Sequence, residues 1–251
     1  MRAINYHIRG IITSFEHLSK GKYLIYFLPG LILTIIFWYF RSKTIAIDEA
    51  IDLTSEYSWL DWFGSAVDTG ISKVFGIIDW LMEQVYIFLV LTVLSPFFTA
   101  LGEQYDKELT GKVTESGILR FVNDFIRMVF VVILALVLEF FIIGIYWLID
   151  KIFGFPEMMD TILRYAISAF FFGFAFYDFA LERYEKGVFS SLGFAFSAPL
   201  GMIIIGTLFK LIYAVPYIGI PLAPVLVVMV STVAYAYYIK SLPKSNLPTN
   251  E

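Results

Sequence analysis

Polar groups set inside long apolar stretches mark where this sequence could do chemistry. The segment Ser95-Pro96-Phe97-Phe98-Thr99-Ala100-Leu101-Gly102-Glu103-Gln104 puts a proline within an apolar run. Proline has no N–H, so a helix tends to break there. A helix that restarts after it presents unpaired N–H groups and the positive end of its dipole. Such a start can hold an anion without a basic side chain; the plainer reading is a proline kink followed by a turn. Asp79 and Glu83, one helical turn apart, read either as a proton or cation site or as a solvated face. Glu139 is the lone charge between Met128 and Ile149. At membrane depth it must be paired, protonated or wet, with Arg164 or Lys210 as candidate partners. Lys210 itself is expected to snorkel toward an interface. Asp178, Glu182 and Arg183 close another apolar run as helix-end ion pairs, while Arg120, Asn123, Asp124 and Arg127 form one polar stripe at helical spacing. Glu139, Asp178, Arg120 and Arg127 are thus pathway or ion-pair candidates.

The rest of the sequence narrows the chemistry. No nucleophile elbow, phosphate loop, dinucleotide fingerprint or metal-ligand spacing occurs, so neither an enzyme nor a cofactor or metal site is expected. The chain has no cysteine, which removes disulfides and thiolate chemistry. A net charge of -4 argues against nucleic acid, which calls for a basic footprint.

The elements that would position these groups are helices in lipid. The 251 residues are 59% hydrophobic and include 26 Phe, with a mean hydropathy of +0.77, more apolar than a soluble core can hide. From Gly187 to Ile239, 53 residues carry the single charge Lys210. Spanning takes about 20 helical residues, and apolar runs place spans near 23–40, 84–102, 128–149, 161–181, 190–213 and 222–240. The charge-free run from Tyr165 to Tyr177 is only 13 residues long, so its helix either borrows flanking residues or enters part way. A helix from Gly117 to Ile149 would outrun the hydrocarbon core and project its polar stripe beyond it. The proline-bearing segment from Ala214 to Pro224 reads as an apolar turn, and the charged one from Asp150 to Glu157 as a turn at the outer interface.

Residues 1–22, with Ile4, Ile8, Ile11, Ile12, Phe15 and Leu18 at three- and four-residue steps, read as an amphipathic interfacial helix. Residues 23–244 form one helical membrane domain, 41–73 an acidic extracytoplasmic loop and 245–251 a tail. The first apolar run ends in bulky residues, not the small ones a cleavage site needs, so no signal peptide is expected. Alternating sides after each span collects twelve of the 18 lysines and arginines on one side, which places both termini in the cytoplasm. Six crossings and two crossings plus two part-way hairpins give the same parity.

Ser95-Pro96-Phe97, Glu103-Gln104 and Leu109-Thr110-Gly111 resemble a segment of the CysZ sulfate permeases. Phe27-Leu28-Pro29, Tyr177-Asp178-Phe179 and the hairpin turn from Pro216 to Pro224 match in order and spacing, so the resemblance runs from about Ser14 to Ile239. It implies an all-α integral protein of the inner membrane, with two long transmembrane helices plus two helical hairpins that penetrate only part way, assembled as homo-oligomers. It also implies sulfate uptake without ATP hydrolysis, the anion meeting the backbone at Thr99, Ala100 and Leu101, beside Gly102 and Glu103. The family's arginine pair aligns with Tyr23 and Leu24, which lack guanidinium groups; Lys20 and Lys22 stand close by as substitute point charges. The expectation is therefore a transport protein for a small inorganic anion in the lipid bilayer. Two alternatives stand beside it: a scaffold without a permeant, assembled through small residues such as Ala169 and Gly173, and a cation or proton pathway through Asp79, Glu83 and Glu139.

Overall fold

The computed structural model describes residues 2–36, 39, 87–88, 90–113, 118–215 and 218–240. Among them there is no strand, and 88% are helical. The loop 41–73, the tail 245–251 and the pair Asp79 and Glu83 lie outside the described residues. The chain divides into two compact units, Ile32–Leu91 and the remainder. What is described of the smaller one is helical.

In the larger unit, α1 (Arg2–Ser19) is followed by a turn in which Gly21 and Tyr23 take positive φ, of 77° and 65°, and by a 3-10 turn, Leu24–Phe27. Each of α2 (28–36) and α3 (90–110) has part of its length in the smaller unit, and α4 (Ile118–Phe153), α5 (Glu157–Glu182), α6 (Val188–Ser197), α7 (Pro199–Tyr213) and α8 (Gly219–Tyr238) follow in the larger one. Among the described residues, three helices are long and apolar enough to cross a membrane: Val122–Phe153, Glu157–Glu182 and Gly219–Tyr238. The number rises to five if the bent pairs Ala3–Ser19 with Leu24–Ile36 and Val188–Ser197 with Pro199–Tyr213 each count as one span.

Chain chemistry explains these lengths. α4 has 36 residues, roughly 54 Å at 1.5 Å per residue, so it outruns a hydrocarbon core as expected. The short charge-free run at Tyr165 borrows flanks at both ends to make a helix of 26 residues. The span expected over 190–213 is broken instead: at Ala198–Pro199 the chain turns by 97°, because Pro199 opens α7 and the residue before a proline is driven out of the helical region. The turn expected from Ala214 to Pro224 is shorter than its prolines suggested. Pro221 lies in the first turn of α8, where a missing N–H costs nothing, and Pro224 is carried inside the helix. The turn between α4 and α5 is closed by Asp150, whose carboxylate accepts from Phe155 N–H at 3.0 Å while Gly154 takes φ +63°.

α8 is the core helix. In its most apolar window 83% of residues are buried, against 28% for α4, so α4 offers the wide apolar face and α8 is wrapped by its neighbours. Much of the wrapping comes from α1, which packs along α8 through Gly10 against Val230 and Tyr6 stacked on Tyr237; His7 and Ser14 of α1 are buried as well. The apolar stripe of α1 (Ile4, Ile8, Ile12, Phe15) is exposed instead. This helix is therefore not only interfacial; it hides its small polar face in protein and shows its greasy one, the arrangement lipid favours. His7 is a satisfied core histidine. Its Nδ1 lies 2.6 Å from the Ala3 carbonyl, which can only accept, so Nδ1 carries the hydrogen and Nε2 accepts from Tyr177 Oη at 2.6 Å.

α5 and α7 run antiparallel at close range. A Cβ on Gly173 would fall on the Met202 carbonyl, and one on Gly206 on the Ala169 carbonyl. Ala169 and Gly173 are thus used within one chain, so the small-residue argument for a scaffold loses its seam.

Candidate functional site

The anion site expected after Pro96 requires a helix start, and α3 does not have one there. The helix runs unbroken from residue 90 to residue 110, so the amides of Thr99 to Glu103 lie inside it and not at its end. The carbonyl that Pro96 frees is that of Thr92, and Ser95 Oγ donates to it at 2.8 Å. This side-chain substitution lets a membrane helix pass through a proline.

The five residues also point in different directions. Ala100 is exposed and Leu101 is fully buried; Thr99 and Gly102 are buried and Glu103 is half-buried. Lys20 and Lys22 are placed elsewhere: Lys20 Nζ pairs with Glu16 at 3.1 Å and Lys22 Nζ with Glu108, about two turns beyond Gly102. The backbone cradle expected from the sequence is not assembled.

What is assembled is a layer of ions where α3, α4, α5 and α8 meet. Its centre is Arg183, whose side chain has no exposed surface. Nη1 donates to the Phe179 carbonyl at 2.7 Å and Nη2 to Thr232 Oγ1 at 2.8 Å. Nε stands 3.6 Å from Asp106 Oδ2, a loose ion pair in which neither atom has a hydrogen bond. Burial pushes the Arg183 guanidinium below its ordinary value, while Asp106, Tyr184, Glu182 and Glu103 pull the other way. Room for the guanidinium comes from Gly102, where a Cβ would collide with Nη1; that is the physical need for glycine on this face of α3. Tyr184 Oη and Thr110 Oγ1 donate to Asp106 Oδ1 at 3.2 and 3.3 Å.

The expected polar stripe of α4 completes the layer. Arg120 Nη2 lies 2.7 Å from Glu103 and its Nε 3.7 Å from Asp124. Arg127 grips both oxygens of Asp178, Nε to Oδ2 at 2.9 Å and Nη2 to Oδ1 at 2.7 Å, and Nη2 reaches Ser191 Oγ at 3.1 Å. Arg120, Arg127, Asp178 and Glu103 are thus brought together as ion pairs. Arg183, expected in a helix-end ion pair, is instead the centre of the layer, and Asp106 joins it without having been among the expected candidates. The available signal was spacing: Asp106 follows Glu103 by three residues and Gly102 by four, one face of a helix.

A second cluster lies further along α5. Lys210 does not snorkel; Nζ donates to Ser168 Oγ at 2.7 Å beneath the rings of Tyr165 and Phe172. Glu139, 1% exposed, lies within electrostatic reach of this pair, and neither of its oxygens has a closed hydrogen bond. Arg164 is committed to Asp160 at 2.6 Å, so of the two partners considered for Glu139 it is Lys210 that faces it. Among the described residues no group of three metal-ligating side chains occurs.

At the end of α3, Glu108 receives Lys22 Nζ and Tyr23 Oη, and the His17 ring lies 3.4 Å away. Burial acts to raise the Glu108 carboxyl, but these hydrogen bonds outweigh it and hold the group below its ordinary value.

No protein-family model matches the chain, and no curated protein matches it significantly.

Proposed function

We propose that this protein is a multi-pass transport protein of the CysZ kind, homo-oligomeric, lying in the inner membrane with both termini cytoplasmic and taking up a small oxyanion such as sulfate. The observation that carries the reading is Arg127. Its two-pronged hold on Asp178, with Ser191 as a third contact, is a geometry that also suits a tetrahedral oxyanion. In this reading the guanidinium layer, and not a helix start after Pro96, receives the anion. The anion takes the place of the Asp178 carboxylate on Arg127 and Asp178 takes up a proton as it leaves, so neither a bare buried cation nor a bare buried carboxylate remains. The test is labelled sulfate uptake into proteoliposomes. Uptake is expected in the wild type, at least about tenfold lower in Arg127→Gln and intermediate in Arg127→Lys, which keeps the charge but loses the fork. Absence of both uptake and thermal stabilisation at millimolar sulfate overturns the reading.

Glu139 favours a second reading, a proton or cation pathway. A carboxyl at 1% exposure without a closed hydrogen bond is the kind of group such a pathway uses. Planar-bilayer conductance that is unchanged in Glu139→Gln removes this reading.

A further inference from the structure

The groups around Arg127 bear on which anion its site takes. Three carboxylates, those of Asp178, Glu182 and Asp124, act electrostatically on its guanidinium. Asp178 and Glu182 stand one turn apart on α5, and Asp124 one turn before Arg127 on α4. Acceptors are in excess in this layer, since Asp106 Oδ2 is buried there without a hydrogen bond. The Arg127 side chain is 17% exposed, whereas that of Arg183 has no exposed surface, so of these two guanidinium groups Arg127 is the one an anion can reach.

This balance decides what a tetrahedral anion must bring. Seated on Arg127, it takes the Nε and Nη2 hydrogens that Asp178 now holds, and Ser191 Oγ, which accepts from Nη2, keeps its own hydrogen to give. The displaced carboxylate does not escape to water, because Asp178 is 2% exposed and its helix is packed against α7 and α8. Two anions side by side in such a place need a hydrogen between them. Sulfate carries none at neutral pH, so with sulfate the proton for Asp178 comes from elsewhere. Phosphate and arsenate keep at least one O–H at neutral pH. That O–H donates to Asp178 directly and replaces the donor lost with Arg127.

We propose, on the reading that Arg127 receives the anion, that this site selects oxyanions that keep a hydrogen at neutral pH, the class of phosphate and arsenate, over fully deprotonated ones such as sulfate and selenate. Asp178 is the residue that reads the hydrogen. A site built to accept an O–H rejects a similar ligand that lacks it, because the buried acceptor is left unpaired. Phosphate and sulfate share a tetrahedral shape and nearly the same size, so the hydrogen is what tells them apart.

Competition in proteoliposomes tests the selectivity. Labelled phosphate should enter at least about tenfold faster than labelled sulfate at equal concentration, with unlabelled arsenate suppressing phosphate uptake and selenate leaving it intact. Asp178→Asn removes the charge and offers the anion an N–H, so the preference should fall below about twofold, mainly through faster sulfate uptake. Thermal stabilisation of the wild-type protein by each of the four anions ranks them even where that variant does not fold.

Sulfate level with or ahead of phosphate, selenate competing as well as arsenate, or a preference unchanged in folded Asp178→Asn overturns the selectivity and leaves an oxyanion site in place. Neither uptake nor stabilisation with any of the four anions removes the reading of Arg127 itself, and the selectivity with it.

Discussion

Two charged clusters sit on α5 about 15 Å apart, and they are closed in opposite ways. Around Asp178 each carboxylate oxygen meets an Arg127 nitrogen at 2.7–2.9 Å. Around Ser168, Lys210 is hydrogen-bonded to the hydroxyl, while Glu139, the charge that would balance it, has no closed hydrogen bond. Between the clusters the helix buries Phe171, Phe172, Phe174, Ala175 and Phe176, an apolar stretch between the two polar levels. Burial alone therefore does not define a site here. The Arg127 fork closes both oxygens of Asp178, whereas the second cluster, built on an ammonium and a hydroxyl, keeps acceptor capacity in reserve.

The largest effect expected from breaking this contrast is at Arg127. Arg127→Ala leaves Asp178 buried without its partner, which should lower stability by about 3–5 kcal/mol. Thermal or urea unfolding in detergent measures it, and adding Asp178→Asn should recover more than half of the loss. Additive single and double variants would show that the pair is not coupled.

A smaller loss is expected from the glycine that seats the central arginine. In Gly102→Ala the new methyl collides with the Arg183 guanidinium, and overpacking of this kind costs about 1–3 kcal/mol. An unchanged melting temperature would show that the arginine moves away freely.

At the other cluster Glu139→Gln keeps the shape and removes the charge, so stability should change by less than about 1 kcal/mol, since no closed hydrogen bond is lost. A loss as large as that of Arg127→Ala would mean that Glu139 is clamped after all, and the contrast would collapse.

The smallest effect belongs to the partly exposed Glu108 contact. Its carboxyl is held below the ordinary value of 4.5, so its stabilisation is full above the unfolded-state value and fades as pH falls through the lower folded-state value. The melting-temperature gap between wild type and Glu108→Gln should stay flat from pH 7 to about pH 5 and close below about pH 4. A gap that widens on acidification would contradict the assigned direction.

Much of the fold was legible because lipid imposes a simple rule on sequence. Long runs free of charge must be helices, and their lengths follow from the thickness to be crossed. The elongation of α4 and its polar stripe could be read from the spacing of Arg120 through Arg127, and the α4–α5 turn from Asp150 and Gly154. Prolines misled in both directions. Pro96 and Pro224 are carried inside helices, whereas Pro199, less prominent in the sequence, opens a bend of 97°. A proline's local cost is fixed; at Pro96 the chain stays helical with Ser95 taking over the freed carbonyl.

The sequence by itself determined that this chain is helical and rich in spans, that its charges gather in a few places, and which residues share a helix face. Those properties follow from hydropathy and from the 3.6-residue period, which need no knowledge of neighbours. Only the tertiary structure decided that Arg183 lies at the centre of a buried layer, that Lys210 turns inward, that Gly173 and Gly206 seat neighbouring backbones, and that α1 hides its polar face against α8. Each of these depends on contacts between residues far apart in the chain, set by how the helices cross.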